Sequence, residues 1–370
     1  MIGKIAIIWA VAAVCALFLT PAVRHWAKRF GIIDQPGDPR RVHTRPTPRW
    51  GGMAIALAAG IGICVGFWAL GLAPTGFEAR ALLGLVVVGM AVLVMGALDD
   101  KFQFSAGVQL VFLLACGVIV QFFGVQVSGV TKPWPIAPGD SSWLALGALA
   151  WPITAIWIFV VTKTMDTIDG LDGLAAGISA ISACTLTVMS LMSHPQMLPL
   201  AVVSASACGA SLGFLKHNYN PAKIFMGTGG AQFLGFILAG LSVIGAFKVG
   251  AVFSVGVPIL IFGLPLLDAV IVVVRRIRSR QPIYKADKRH LHHHLIAKGL
   301  SQRQTVLVLY AVAIVLCATA IWIVGKSQDD RHSAGPVATF GHDGFWDAAG
   351  RHQDGSRHQG AGPLPRARSA

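Results

Sequence analysis

The sequence predicts an all-α, polytopic integral membrane protein, and three observations predict it. Hydrophobic residues make up 55% of the 370-residue chain and charged residues only 12%, with a mean hydropathy of +0.67; soluble domains carry about 25% charged residues. Apolar runs of the roughly 17–25 residues needed to cross a bilayer recur along the chain. The remaining charges gather at the ends of those runs.

About ten transmembrane helices are expected on this length criterion. They lie near 5–23, 51–73, 81–98, 106–125, 143–162, 174–192, 197–215, 231–247, 250–274 and 305–325. Together they make one membrane-embedded domain over 1–325. In the first run the basic residues Arg24, Lys28 and Arg29 follow the apolar stretch, which suits a retained helix better than a signal peptide. Over 326–370 the composition shifts to Gly, His, Arg, Asp and Ser without an apolar period, and a polar, disordered tail is expected. Cys15, Cys64, Cys116, Cys184, Cys208 and Cys317 all lie inside apolar runs without zinc-ligand spacing, as small packing residues do.

Basic residues set the expected orientation. Two long loops, from Arg24 to Arg49 and from Arg275 to Arg303, are rich in Arg and Lys, and Lys101, Lys163, Lys216 and Lys223 fall on the same side. Lys4, Arg80, Lys132 and Lys248 are the basic residues of the opposite side, tail excluded. The positive-inside rule places the N-terminus outside and the long loops in the cytoplasm. A net charge of +14 concentrated there suits anionic headgroups or phosphorylated substrates; nucleic acid is not the expected partner.

The acids follow the same geography. Asp34, Asp38, Asp99, Asp100, Asp166, Asp169, Asp172, Asp268 and Asp287 fall at cytoplasmic ends of apolar runs, and Glu78 and Asp140 at the other side. Ionised groups near membrane depth are costly and mark function. One anionic, metal-associated site at the cytoplasmic face is therefore expected.

Four segments carry the chemistry. Asp99-Asp100 ends the third run; paired carboxylates could hold Mg²⁺ or act as a base, and they also fit a solvated helix end. Asp166-Thr167-Ile168-Asp169-Gly170-Leu171-Asp172-Gly173 joins the fifth and sixth runs. Asp169 and Asp172 share a face at a spacing of three, and free N–H groups opening the sixth helix could meet an anion. His217 to Gly230 offers Asn218 for hydrogen bonding, Lys223 for phosphate and Phe225 for stacking; a plain interhelical turn is the alternative. His290-Leu291-His292-His293-His294, in the long basic loop, fits diphosphate binding, with a solvated face or a transition metal as alternatives. The first loop adds Arg41 and His43 among four prolines.

In this order and spacing the segments resemble the polyprenyl-phosphate N-acetylhexosamine-1-phosphate transferases, the WecA/MraY-like bacterial membrane enzymes of glycosyltransferase family 4. Arg40-Arg41-Val42-His43, Pro48-Arg49-Trp50-Gly51-Gly52, Asp99-Asp100, Asp169-Gly170-Leu171-Asp172-Gly173, Asn220-Pro221-Ala222-Lys223-Ile224-Phe225-Met226-Gly227 and His290-Leu291-His292-His293 carry the resemblance. It runs from about Arg24 to Tyr310. The histidine segment and Gly299-Leu300-Ser301-Gln302-Arg303-Gln304 are more similar to the WecA/TagO branch than to the MraY branch.

The resemblance implies a multi-pass enzyme of the bacterial cytoplasmic membrane, and a homodimer is compatible with it. The enzyme would move N-acetylhexosamine-1-phosphate, GlcNAc by default, from a UDP-N-acetylhexosamine to polyprenyl phosphate, releasing UMP and initiating a cell-envelope glycan. Mg²⁺ is the implied cofactor, with Mn²⁺ an alternative. Asp99, Asp100, Asp169 and Asp172 are the implied catalytic residues. Arg41, His43, Asn218, Lys223, Phe225, His290, His292 and His293 would bind substrate, with Asn218 and Phe225 at uracil and the histidines at the sugar diphosphate. Asp99, Asp100 and Asp166 are the expected metal set. The chain departs from the family at Thr228, where Asp is usual, at Lys163 and Asp166, where Asn is usual, and at Gln109, where Lys is usual. Lys163 is expected to stand in for a lost cation. A weakly active or non-catalytic paralogue is the alternative within the family. A transporter, the alternative outside it, would place its charges near mid-membrane.

Overall fold

The computed structural model describes residues 1–36, 46–72, 76–131, 143–193, 197–249, 256–281 and 290–333. Arg41, His43, Asp38 and Asp287 lie outside the described residues. The chain divides into two units, Met1–Gly325 and Lys326–Ala370. In the second, the described residues are helical to Ser333; the expected tail beyond them lies outside the described residues.

Helix is the dominant structure, as the apolar runs predict. The long helices are α1 (Ile2–Arg29), α2 (Gly51–Leu70), α3 (Gly76–Phe102), α4 (Ala106–Ile119), α5 (Ala150–Thr167), α6 (Leu174–Met192), α7 (Leu198–Asn218) and α8 (Gly227–Val249). They are followed by α9 (Gly256–Ile261), α10 (Gly263–Arg278), α11 (Leu291–Ala297) and α12 (Gln302–Ser333). Nine helical segments among the described residues are long and apolar enough to span a membrane. The sheet among them is two short antiparallel pairs, β1 (Ile33–Asp34) with β2 (Thr47–Pro48) and β3 (Gly129–Thr131) with β4 (Trp143–Ala145).

The expected run at 250–274 differs. It emerges as α9 and α10, divided at Phe262. Pro265 has no N–H to return to the Ile261 carbonyl one turn earlier, and a proline there bends a helix. The freed carbonyl is met by neighbours: Ser182 Oγ donates to it at 3.2 Å, and Cys317 Sγ lies 3.9 Å away. Satisfaction by adjacent helices is what permits such a break at membrane depth.

α8 is the centre of the bundle. Its spanning stretch is 94% buried, against 22% for α1 and 28% for α12. It packs on α2, α3, α5 and α6, while α1 lies along α7 and α2. Inside a bilayer, helices gain from close backbone approach through small residues. Gly52 of α2 sits against Gly230 of α8, and Gly96 of α3 against Gly229. Gly209 and Gly213 let α7 reach the backbone of α1 at Trp9 and Ala13. Phe18, Trp68, Val111 and Trp322 are exposed, a distribution suited to a lipid-facing exterior. The seams to α8 bring the starts of α2 and α8 and the end of α3 together, and the α5–α6 turn lies against the same cleft.

Candidate functional site

The site is assembled at the helix ends from short-range polar bonds. β1 and β2 pair with Ile33 opposite Pro48, so Arg49 leaves the ladder beside Asp34. One Arg49 nitrogen reaches Asp34 at 3.0 Å and the other reaches Asp100 at 3.4 Å. The first amides of α2 lack intrahelical acceptors. Gly51 N donates to the Phe225 carbonyl (3.0 Å) and Gly52 N to that of Met226 (2.9 Å), while Phe225 N donates to Pro48 O (2.8 Å). The segment before α8 is thus joined to the start of α2.

At the start of α8, Gly227 has φ +77°, and a Cβ there would overlap the Asp100 carboxylate. Glycine is what permits the approach. Thr228 N then donates to Asp100 Oδ1 at 3.1 Å. Asp100 Oδ2 is buried without a partner, and the side chain is 1% exposed.

The α5–α6 turn is fixed by four neighbours, Asn218, Tyr310, Asn220 and Ala222. Asn218 accepts from Gly173 N (3.1 Å) and donates to Ile224 O (2.9 Å). The Tyr310 hydroxyl donates to Gly173 O at 2.6 Å. Asp172 Oδ2 accepts from Asn220 Nδ2 (2.9 Å) and Ala222 N (3.0 Å), and Asn220 also donates to Gln302 (2.7 Å). The result is a cleft of about 230 Å³ lined by Arg49, Asp100, Asp166, Asp169, Asp172, Asn218, Phe225, Thr228 and Gln302, among others.

Charge is concentrated here. Burial raises the Asp169 carboxyl well above the ordinary carboxylate range, and the Asp166 and Asp100 carboxylates push it further. Among the described residues no three His, Cys, Asp or Glu side chains are grouped to hold a metal ion on their own. The cleft offers the orphaned Asp100 oxygen and the Asp169 carboxyl, with Asp166 and Asp172 each bonded through Oδ2. That donor set fits Mg²⁺, a hard cation commonly held by one or two carboxylates plus substrate phosphate.

The expected residues distribute unevenly. Asp100, Asp166, Asp169, Asp172, Asn218 and Phe225 come together. Asp99 does not line the cleft: neighbours on a helix point about 100° apart. Asp99 turns toward α4, accepting from Phe104 N (2.8 Å) and Gln109 Nε2 (2.9 Å). Asp166 is already engaged, with Oδ2 receiving Lys163 at 2.6 Å and Gln232 at 3.3 Å. Lys223 is exposed and outside the lining. Arg49 and Gln302 were not among the expected site residues. The Pro-Arg-Trp-Gly-Gly run that opens α2 is a usable signal for Arg49, and the Gly299–Gln304 segment is one for Gln302.

The histidines form a second layer behind the turn. Asp268 of α10 accepts from His290 Nδ1 (2.7 Å) and Leu291 N (2.6 Å), fixing the start of α11. The His290 and His292 rings stack 5.6 Å apart at 4°, and His293 is 4.3 Å from His292. His292 Nε2 is buried without a partner, beside Gly170. Burial, aided by His293 and His290, pushes the His292 imidazole down to about 3. It is therefore neutral at ordinary pH and can serve as a hydrogen-bonding group, not a cation. Because its folded value is depressed, the unfolded chain binds the extra proton first. Stability is expected to fall as pH drops below the ordinary histidine value near 6.5 toward 3. Melting curves between pH 7.5 and 5 should show a smaller decline for His292→Gln than for the wild type; equal declines would refute the assignment.

Comparison with known proteins finds relatives over most of the chain and a family profile over the part that holds the cleft aspartates Asp100, Asp166, Asp169 and Asp172. The profile described as Glycosyl transferase family 4 matches residues 82–246. A Bacillus subtilis protein named a probable undecaprenyl-phosphate N-acetylglucosaminyl 1-phosphate transferase is 37% identical over 327 residues, 86% of this chain and 87% of that protein. A Mycobacterium tuberculosis decaprenyl-phosphate N-acetylglucosaminephosphotransferase is 31% identical over 88% of this chain and 84% of its own length. An Escherichia coli K12 undecaprenyl-phosphate alpha-N-acetylglucosaminyl 1-phosphate transferase is 25% identical over 80% and 78%.

Proposed function

The chain belongs to glycosyl transferase family 4, and from that membership we infer that it transfers N-acetylglucosamine-1-phosphate to polyprenyl phosphate in a bacterial membrane. The donor is proposed to be UDP-N-acetylglucosamine and the by-product UMP. The observation that supports this reading best is the convergence of Asp100, Asp166, Asp169 and Asp172 with Arg49 in one cleft at the helix ends. A cleft at that level lets a lipid phosphate meet a water-soluble nucleotide sugar, and the basic loops suit the cytoplasmic side.

In the proposed reaction a phosphate oxygen of the lipid attacks the sugar-linked phosphorus of the donor. The new P–O bond forms as the bond to the bridging oxygen of UMP breaks. Phosphoryl transfer depends on positioning and on charge neutralisation. Asp100 and Asp169 would hold Mg²⁺, which supplies charge neutralisation on the diphosphate when bound. Arg49, tied to Asp34 and Asp100, is a fixed cation at the same wall. Asp172 and Asn218 hold the α5–α6 turn in register with the segment before α8, so the two loops present one surface to the donor. Phe225 is the flat face for uracil.

The test is direct. Purified protein with UDP-N-acetylglucosamine, polyprenyl phosphate and Mg²⁺ is expected to release UMP only when the lipid is present. Lipid-independent release, or none across a panel of UDP-sugars beside an active relative, would defeat this reading.

A further inference from the structure

Lys163 of α5 has an unusual set of partners for a lysine that is 34% exposed. Its ammonium donates to Asp166 Oδ2 at 2.6 Å and to Gln109 Oε1 at 2.7 Å. Gln109, on α4, turns its amide nitrogen to Asp99 of α3 at 2.9 Å. The network dictates the amide orientation, since the carbonyl must face the ammonium and the NH₂ the carboxylate. Gln232 of α8 donates to the same Asp166 oxygen at 3.3 Å. Four helices therefore converge on one ion pair. A surface lysine would keep its flexible ammonium in water, whereas this one is held from two sides.

Two cations are thus fixed on carboxylates that line the cleft. Arg49 is fixed on Asp100 Oδ1 and Lys163 on Asp166 Oδ2, while Asp100 Oδ2 stays without a partner. We propose that Lys163 is a positioning residue of the cleft: a resident cation that keeps Asp166 away from a divalent ion and confines that ion to Asp100 and Asp169. The proposal rests on the metal-assisted reading above. It carries a sign that a scaffold role lacks. Removing Lys163 leaves Asp166 Oδ2 with the Gln232 amide alone and deletes the positive charge paired with that carboxylate, so divalent binding tightens. Removing Asp166 leaves an unpaired ammonium beside the ion, so binding weakens. Removing both restores the balance.

The experiment is a Mn²⁺ titration of the detergent-purified full chain, followed by electron paramagnetic resonance, without lipid or nucleotide. Mn²⁺ prefers oxygen ligands as Mg²⁺ does. Lys163→Met is expected to tighten Mn²⁺ binding about fivefold and Asp166→Asn to weaken it about fivefold, the scale of one partly exposed ion pair. The double variant should return to within about twofold of the wild type. Lys163→Arg should keep wild-type affinity, which shows that the fold survives change at this position. Unchanged or weakened binding in Lys163→Met, a shift of both single variants in one direction, or no Mn²⁺ uptake by the wild type would each overturn the proposal. Lipid-dependent UMP release, assayed separately on the wild type, reports on the transferase reading alone.

Discussion

Asp169→Asn is expected to lower the transfer rate by about 10³-fold, the scale of losing a preorganised charged group at a reacting phosphate, while making the unliganded protein more stable. Both signs come from the same crowding. Asp169 sits in the α5–α6 turn with the Asp166 and Asp100 carboxylates pressing on it, and burial disfavours its charged form. Among the described residues the turn is fixed through Asp172, Gly173 and Asn218 without drawing on that charge. A group that costs stability without supporting the scaffold belongs to function. Because its folded value is raised, the wild type should lose stability as pH rises past the ordinary carboxylate range, and the Asn variant should be spared that loss. Lipid-dependent UMP release and thermal melts in the absence of divalent ions measure the two effects. A variant that keeps activity within tenfold, or that melts lower than the wild type, would contradict the assignment.

Gly52→Val is expected to destabilise the bundle by about 3 kcal/mol or more, at the upper end for overpacking a tight interior. The added Cβ would overlap the Gly230 backbone, and backbone, unlike the end of a side chain, has nowhere to rotate. Separating α2 from α8 would also break the bonds from Gly51 and Gly52 to Phe225 and Met226, so activity should fall with stability. Gly60→Val on the same helix is the control. Nothing lies within 4 Å of a Cβ at that position, and a change of less than about 1 kcal/mol is expected there. Similar melting temperatures for the two variants would show that the α2–α8 seam is not the close contact described here.

Much of the fold was legible because a bilayer permits few solutions. Backbone groups must be paired within the helix, so long apolar runs become helices, and most expected runs correspond to helices within several residues. The exception, at Phe262, has a local signal in Pro258, Gly263 and Pro265 whose consequence depends on whether a neighbour such as Ser182 can satisfy the freed carbonyl. The site was legible as a set of acidic segments but not as an arrangement. Asp99 and Asp100 are one residue apart, and only helix rotation within the bundle decides that one faces α4 and the other the cleft.

Composition and spacing alone thus determined the class of molecule, the helical runs and the segments that carry charge, because hydrophobicity and charge are properties of each residue by itself. Tertiary structure decided which of those charges are available. The lysine at 163 and the glutamine at 109 look like two unrelated departures in the sequence, yet they touch at 2.7 Å. Asp166 becomes an anchored partner and Asp100 keeps an open oxygen. An ionised group acts through whatever stands within a few ångströms of it, and helices distant in sequence supply those neighbours only after they pack.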